Sequence, residues 1–82
     1  MTYTVQLLPD AVKAIEKLSP DVRRRIIGKV ERMQENLAGD VKRLTNYSPE
    51  YRLRVGDWRV LFEVEETVIV IYDIIHRSKA YG

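Results

Sequence analysis

Tyr51-Arg52-Leu53-Arg54-Val55-Gly56-Asp57-Trp58-Arg59-Val60-Leu61-Phe62 holds two alternating runs, each apolar at every second position, on either side of a Gly-Asp pair. This is the pattern of a β-hairpin closed by a two-residue turn of type II′, in which glycine supplies the positive φ. A two-residue loop fixes the register. Val55 should face Trp58, Arg54 face Arg59, Leu53 face Val60, and Arg52 face Leu61. Side chains alternate between the faces of a strand. Tyr51, Leu53, Val55, Trp58, Val60 and Phe62 therefore share one face, and Arg52, Arg54 and Arg59 share the other. The first set reads as core, with Tyr51 and Trp58 included. Like charges directly opposite each other in a sheet are destabilising. The simplest reason to keep that repulsion is an anion that the chain itself does not contain. Arginine is also ordinary on a solvated strand face, where its stem packs and its head stays wet. Any one of the three fits that plainer description, but three on one face, two of them cross-strand neighbours, favour an anion site. Phosphate matches the guanidinium fork best.

Upstream, Tyr3 to Leu8 alternates and reads as a short strand, and Pro9-Asp10 opens a helix with Ala11, Ile15 and Leu18 on its apolar stripe. Ser19-Pro20 supplies an N-cap and a first helical position for a second helix running to about Leu37. Its stripe is Val22, Ile26, Val30, Met33 and Leu37, its stop is Gly39, and its outer face carries Arg23, Arg24, Lys29 and Arg32. Asp40 to Glu50 reads as a basic connecting loop from which Leu44 returns to the core. Downstream, Glu65-Glu66-Thr67 is a second turn. Val68 to Ile75 is apolar on both faces, as a central strand is. The expected fold is α+β, β-α-α-β-β-β. It is an antiparallel-rich, four-stranded sheet of order 1-4-3-2 with a helical hairpin on one face.

At 82 residues the chain is one small domain, 1–82, with no internal repeat. The net charge is only +2, too small to argue for nucleic acid alone, but nine arginines against five lysines and the thinning of acids around the hairpin are more telling. The absence of cysteine excludes a disulfide scaffold and makes a reducing cytoplasm the default, and a lone histidine excludes most zinc sites. No run approaches the ~18 apolar residues of a membrane span, and the N-terminus lacks a signal-peptide layout.

The hairpin, together with the closing His76-Arg77-Ser78-Lys79-Ala80-Tyr81, strongly resembles the RelE/ParE superfamily of bacterial and archaeal toxins, and within it the RelE type. The resemblance covers essentially the whole chain. It implies the toxin of a type II toxin–antitoxin system, a ribosome-dependent endoribonuclease that cuts mRNA in the ribosomal A site and so inhibits translation. It implies partners as well: a RelB-like antitoxin, the 70S ribosome and A-site mRNA, with operator DNA reached only through the antitoxin and no membrane. Antitoxin contacts would fall partly on Arg23, Arg24 or Arg32. Residue by residue, the resemblance assigns catalysis to Arg52, Arg54, Arg59, Arg77 and Tyr81, with no cofactor or metal. Arginine stands at strand positions where some members have lysine. Lys42, Arg43 and Lys79 are candidate RNA contacts. Two rival readings are a ParE-like toxin acting on DNA gyrase and an inactive member that only binds its antitoxin and DNA.

In the implied reaction the 2′-hydroxyl attacks the adjacent phosphorus, charge builds on the phosphorane oxygens, and the 5′-oxygen leaves. Arginines on a rigid sheet suit the charge but are poor bases, since guanidinium stays protonated. A phenol has an ordinary pKa of about 10, which neighbouring cations lower, so Tyr81 is one candidate base. His76 is the other, because imidazole is the usual acid–base group near neutrality. Which face His76 occupies depends on the second turn. Two turn residues put Tyr72, Ile74 and His76 with the arginines, and three put Asp73, Ile75 and Arg77 there. Asp73, inside an apolar strand, reads as a partner for an arginine.

Overall fold

The structure is a computed structural model and describes residues 1–80. Its elements are β1 (Thr4–Leu7), α1 (Pro9–Lys17), α2 (Pro20–Met33), β2 (Val41–Arg43), β3 (Tyr51–Val55), β4 (Trp58–Glu65), β5 (Val68–His76) and α3 (Arg77–Ala80). The strands make one mixed sheet of order β1-β5-β4-β3-β2, in which only the β1–β5 pair is parallel. The expected order of four strands is present, with one addition. β2 lies within the stretch read as a loop and pairs Val41, Lys42 and Arg43 with Leu53, Arg52 and Tyr51. Three residues with a single apolar position carry no legible alternation. The free edge of β3 creates the strand by offering its hydrogen bonds.

The hairpin register is the one its two-residue turn dictates, from Val55↔Trp58 to Tyr51↔Phe62, and Gly56 takes a φ of +58°. α1 and α2 cover the apolar face. Ala11, Leu18, Ile26 and Met33 pack there against Leu53, Val55, Val60, Phe62, Ile69, Ile71 and Ile74. Tyr51 stacks on Phe62 with ring centroids 5.4 Å apart, and Trp58 is half-buried on the same face. Pro9 and Pro20 sit in the first turns of their helices, where a missing N–H costs nothing.

α2 stops at Met33, one turn short of Leu37. The residues after it leave the helix to tie down the N-terminus: Tyr3 N–H donates to Gln34 O and Asn36 N–H to Met1 O. Asn36 and Leu37 then turn the chain in the left-handed region, and Leu37 still packs on the core.

A β-bulge controls what the fifth strand shows to each side. The turn before it has two residues, since Glu65 pairs with Val68. That register alone would carry Tyr72, Ile74 and His76 to the arginine face. Instead Phe62 pairs with Ile71 and Leu61 with Asp73, which leaves Tyr72 as the extra residue. One inserted residue exchanges the faces of everything beyond it. Asp73 and Ile75 thus join the arginines, while Ile74 stays in the core with Ile71. Among the described residues no helix is long and apolar enough to cross a membrane.

Candidate active site

Two cross-strand rows build the basic face. One runs Lys42, Arg52, Leu61, Asp73, and the next Arg54, Arg59, Ile75. The second row extends to Asp40, whose carbonyl accepts the Arg54 N–H at 3.0 Å. Asp40 is the residue that sequence reading missed. Its Oδ2 lies 2.7 Å from Arg54 Nε and its Oδ1 3.5 Å from Arg52 Nη1. The cross-strand repulsion is therefore answered partly from within the chain, for Arg54 and Arg52 but not for Arg59. Nothing in the local pattern around Asp40 marks it, because the contact forms only once β2 docks.

Arg59 is only 7% exposed. Its Nη1 donates to Gly56 O at 2.9 Å and to Trp58 O at 3.0 Å, and no carboxylate of the described residues pairs with it. The Nε atoms of Arg59 and Arg52 are buried without a hydrogen-bond partner among the described residues. Burying a cation without a counter-charge is costly, so the site is electrostatically incomplete.

The face is also roofed. The segment 44–50 folds over it and is strapped at its end: Leu44 N–H donates to Glu50 O at 2.6 Å, and Glu50 N–H to the Glu63 carboxylate on β4. Arg43 Nη2 reaches Glu50 Oε1 at 3.1 Å, and this hydrogen bond, with the charge attraction behind it, raises the Arg43 guanidinium pKa above its ordinary value. Between roof and sheet lies a cavity of about 120 Å³. Leu44, Tyr47, Ser48 and Pro49 form its roof. Arg52, Arg59, Leu61 and Ile75 form its floor. Leu44 thus lines this cavity on the arginine side and does not return to the helix-covered core.

Arg77 sits at the hairpin tip. Its N–H donates to Asp57 O at 2.7 Å, and its Nε is 3.8 Å from Asp57 Oδ1. Arg25 reaches the same tip from α2, close enough that a Cβ on Gly56 would lie 3.1 Å from its Nη2. Helix periodicity gives no hint of this, since Arg25 belongs to neither the apolar stripe nor the outer basic set.

The remaining candidates are scattered. His76 lies on the helix side of the sheet, edge-on to Trp58 with ring centroids 5.2 Å apart, and its Nδ1 accepts the Ser78 N–H at 3.2 Å. Lys79 lines a separate basin there with Lys13, Lys17, Trp58 and His76. Lys42 stands beside Arg52, whereas Arg43 is engaged with Glu50 at the sheet edge. Asp73 binds no arginine among the described residues, and its Oδ1 accepts the Ile74 N–H at 2.8 Å. Arg23 is occupied by the carbonyls of Ile15, Glu16 and Leu18 at the end of α1, and Arg24 is ion-paired with Asp21 on the outer face, which it shares with Arg32. Tyr81 lies outside the described residues.

Known proteins share both the sequence and this architecture. The family described as ParE toxin of type II toxin-antitoxin system, parDE, matches residues 5–81. Toxin RelE3 of Methanocaldococcus jannaschii is 31% identical over 75 residues, 85% of each chain. The RelE-RelB complex of Pyrococcus horikoshii contains a chain that superposes with a TM-score of 0.79 at 31% identity, covering 98% of this chain and 100% of that one. The RelB-RelE antitoxin-toxin complex of Methanococcus jannaschii gives a TM-score of 0.76 at 29% identity, covering 92% and 93%. Matches of that extent in both sequence and fold make this chain a member of the RelE/ParE superfamily, a toxin of the type II toxin–antitoxin class.

Proposed function

We propose that this toxin is a ribosome-dependent endoribonuclease of RelE type, cutting mRNA in the ribosomal A site. The observation that carries the reading is Arg59, a buried guanidinium with no carboxylate partner among the described residues, on a face shared with Lys42, Arg52 and Arg54. A phosphodiester supplies the missing negative charge. In the reaction the 2′-oxygen forms a bond to phosphorus as the bond from phosphorus to the 5′-oxygen breaks, giving a 2′,3′-cyclic phosphate and a 5′-hydroxyl end. One proton leaves the 2′-hydroxyl and one reaches the departing 5′-oxygen. Arg59 and Arg52 hold the phosphorane oxygens, with donors fixed on strands that need no reorganisation during the step. Arg52 and Arg54, which share Asp40, and Arg77, beside Asp57, carry carboxylate partners that an incoming phosphate competes with. Tyr81 is the base in this reading.

The partner is a RelB-like antitoxin, as in the complexes named RelB-RelE above, and its contacts include Arg24 or Arg32 on the outer face of α2. Operator DNA is reached only through that antitoxin. A ParE-like action on DNA gyrase is the second reading, favoured by the ParE family match over residues 5–81. Purified protein given programmed ribosomes, and separately gyrase, separates the two. Cut A-site mRNA is the expected result. Inhibited supercoiling without cleavage would replace the reading by the second, and neither activity would leave only antitoxin binding.

A further inference from the structure

The cavity beneath the 44–50 segment has a chemistry of its own. Phosphate binding accounts for the guanidinium groups on its floor, but not for Leu44, Tyr47 and Pro49 above or Leu61 and Ile75 below. At about 120 Å³ it far exceeds the space one water needs, about 10–15 Å³, and falls well short of the roughly 300–1,000 Å³ of sites that enclose drug-sized ligands. It suits one flat ring. Its walls are held before any ligand arrives, because Leu44 is bonded to Glu50 and Glu50 to Glu63.

We infer that this cavity is a nucleobase subsite that sets sequence preference at the cut, with Tyr47, Leu61 and Ile75 as its specificity-determining residues. The inference rests on the reading of the chain as an RNA-cleaving enzyme. Single-stranded RNA is recognised by unstacked bases held against aromatic rings and guanidinium planes, with polar ring edges hydrogen-bonded. Both surfaces are present here. Arg59 and Arg52 line the floor beside the apolar walls, and the buried Nε of each has no hydrogen-bond partner among the described residues. An aliphatic side chain from a protein partner would fill the apolar part and leave the guanidinium planes without a stacking partner. A base fills the apolar part and also stacks on the guanidinium planes. A phosphate held at Arg59 tethers its own nucleotide next to the opening. Tyr47, 68% exposed, stands at the rim where an entering base would meet it.

The test uses the full chain and ribosomes programmed with A-site codons that differ by one base at a time, cut under single-turnover conditions. The wild-type chain is expected to favour some bases over others by about 10–200-fold, the range an apolar pocket achieves. Ile75→Phe, which fills the floor, should compress that ratio to within about 3-fold or shift it to a smaller base. Tyr47→Ala, at an exposed position that does not endanger folding, should compress it in the same direction. Unchanged codon ratios in both variants, with cleavage intact, would overturn the subsite and spare the enzymatic reading. Unchanged ratios with weakened antitoxin binding would assign the cavity to a peptide side chain and also overturn it. Failure of the wild-type chain to cut any codon would overturn the enzymatic reading, and the subsite with it.

Discussion

Arg54 and Arg59 stand directly opposite each other in the β3–β4 ladder, yet their guanidinium groups go to different partners. Arg54 Nε lies 2.7 Å from the Asp40 carboxylate, while Arg59 Nη1 binds the backbone carbonyls of Gly56 and Trp58 at the hairpin tip. One of two facing cations is neutralised from within the chain, and the other is buried and kept for an outside anion. Asp40 also approaches Arg52, so a single carboxylate sets how much free positive charge this face presents.

Asp40→Asn should therefore act mainly on electrostatics. The Asp40 and Arg54 side chains are 47% and 57% exposed, and a pair this wet is worth about 0–1 kcal/mol. The Arg52 side chain, 13% exposed and 3.5 Å from the same carboxylate, adds to that loss, and the sum is read as a shift of the urea midpoint at constant m-value. Affinity for a short single-stranded RNA should rise at low salt, because Arg52 and Arg54 lose their internal competitor. A drop in RNA affinity would mean that Asp40 positions the arginines and does not restrain them.

Arg59→Ala has two opposing consequences. Relief of the cross-strand repulsion would leave stability unchanged or slightly raised. The structure adds a larger contrary effect: two hydrogen bonds at the hairpin tip are lost from a buried side chain, each worth about 0.5–1.5 kcal/mol net. The expected outcome is a destabilisation of about 1–2 kcal/mol in urea unfolding. A-site cleavage should fall by two or more orders of magnitude, since one preorganised donor is worth about 2.7–4 kcal/mol. Normal cleavage by a folded Arg59→Ala chain would remove the central claim about this face.

Two glycines should respond in opposite directions to the same change. Gly56 has a φ of +58°, and a Cβ there would come within 3.1 Å of Arg25 Nη2. The tip of Arg25 gives way easily, so backbone strain dominates, at about 1–2 kcal/mol for a non-glycine residue in the left-handed region. In a domain of this size about 1 kcal/mol shifts Tm by 4–8 °C, so Gly56→Ala should lower Tm by at least that. Gly28 lies inside α2, and a Cβ added there would meet nothing within 4 Å. Gly28→Ala should stabilise the chain by about 0.8–1.0 kcal/mol through helix propensity alone. Parallel thermal scans check both signs.

The contrast between β3 and β5 shows what the sequence makes legible. A two-residue turn with glycine at its first position admits one register, so the facing of Arg52, Arg54 and Arg59 follows from counting residues. β5 passes through a bulge at Tyr72, and that depends on how β4 and β5 fit together and not on any residue type in the strand. The same holds for β2, which exists because β3 has a free edge, and for Asp40 and the 44–50 roof, whose roles arise from contacts across the sheet. Local pattern carries the rows of the site, and tertiary pairing carries its counter-charge and its cover.

The bulge in β5 bears on His76, one of the two candidate bases. It sends His76 to the helix side, against Trp58 and Ser78, while the arginines occupy the opposite face. A base must come within hydrogen-bond reach of the proton it removes, and His76 is on the wrong side of the sheet from a phosphate at Arg59. His76→Gln should accordingly leave single-turnover cleavage within a few-fold of wild type. Tyr81→Phe keeps the ring and removes only the hydroxyl, so binding to programmed ribosomes should survive while the chemical step falls by about 10²–10⁴-fold, the usual contribution of a positioned base. Measuring both variants under single-turnover conditions with saturating enzyme isolates chemistry from binding. Near wild-type cleavage by Tyr81→Phe would reject the phenol as base, and a collapse in His76→Gln would require the RNA to reach the helix side of the sheet.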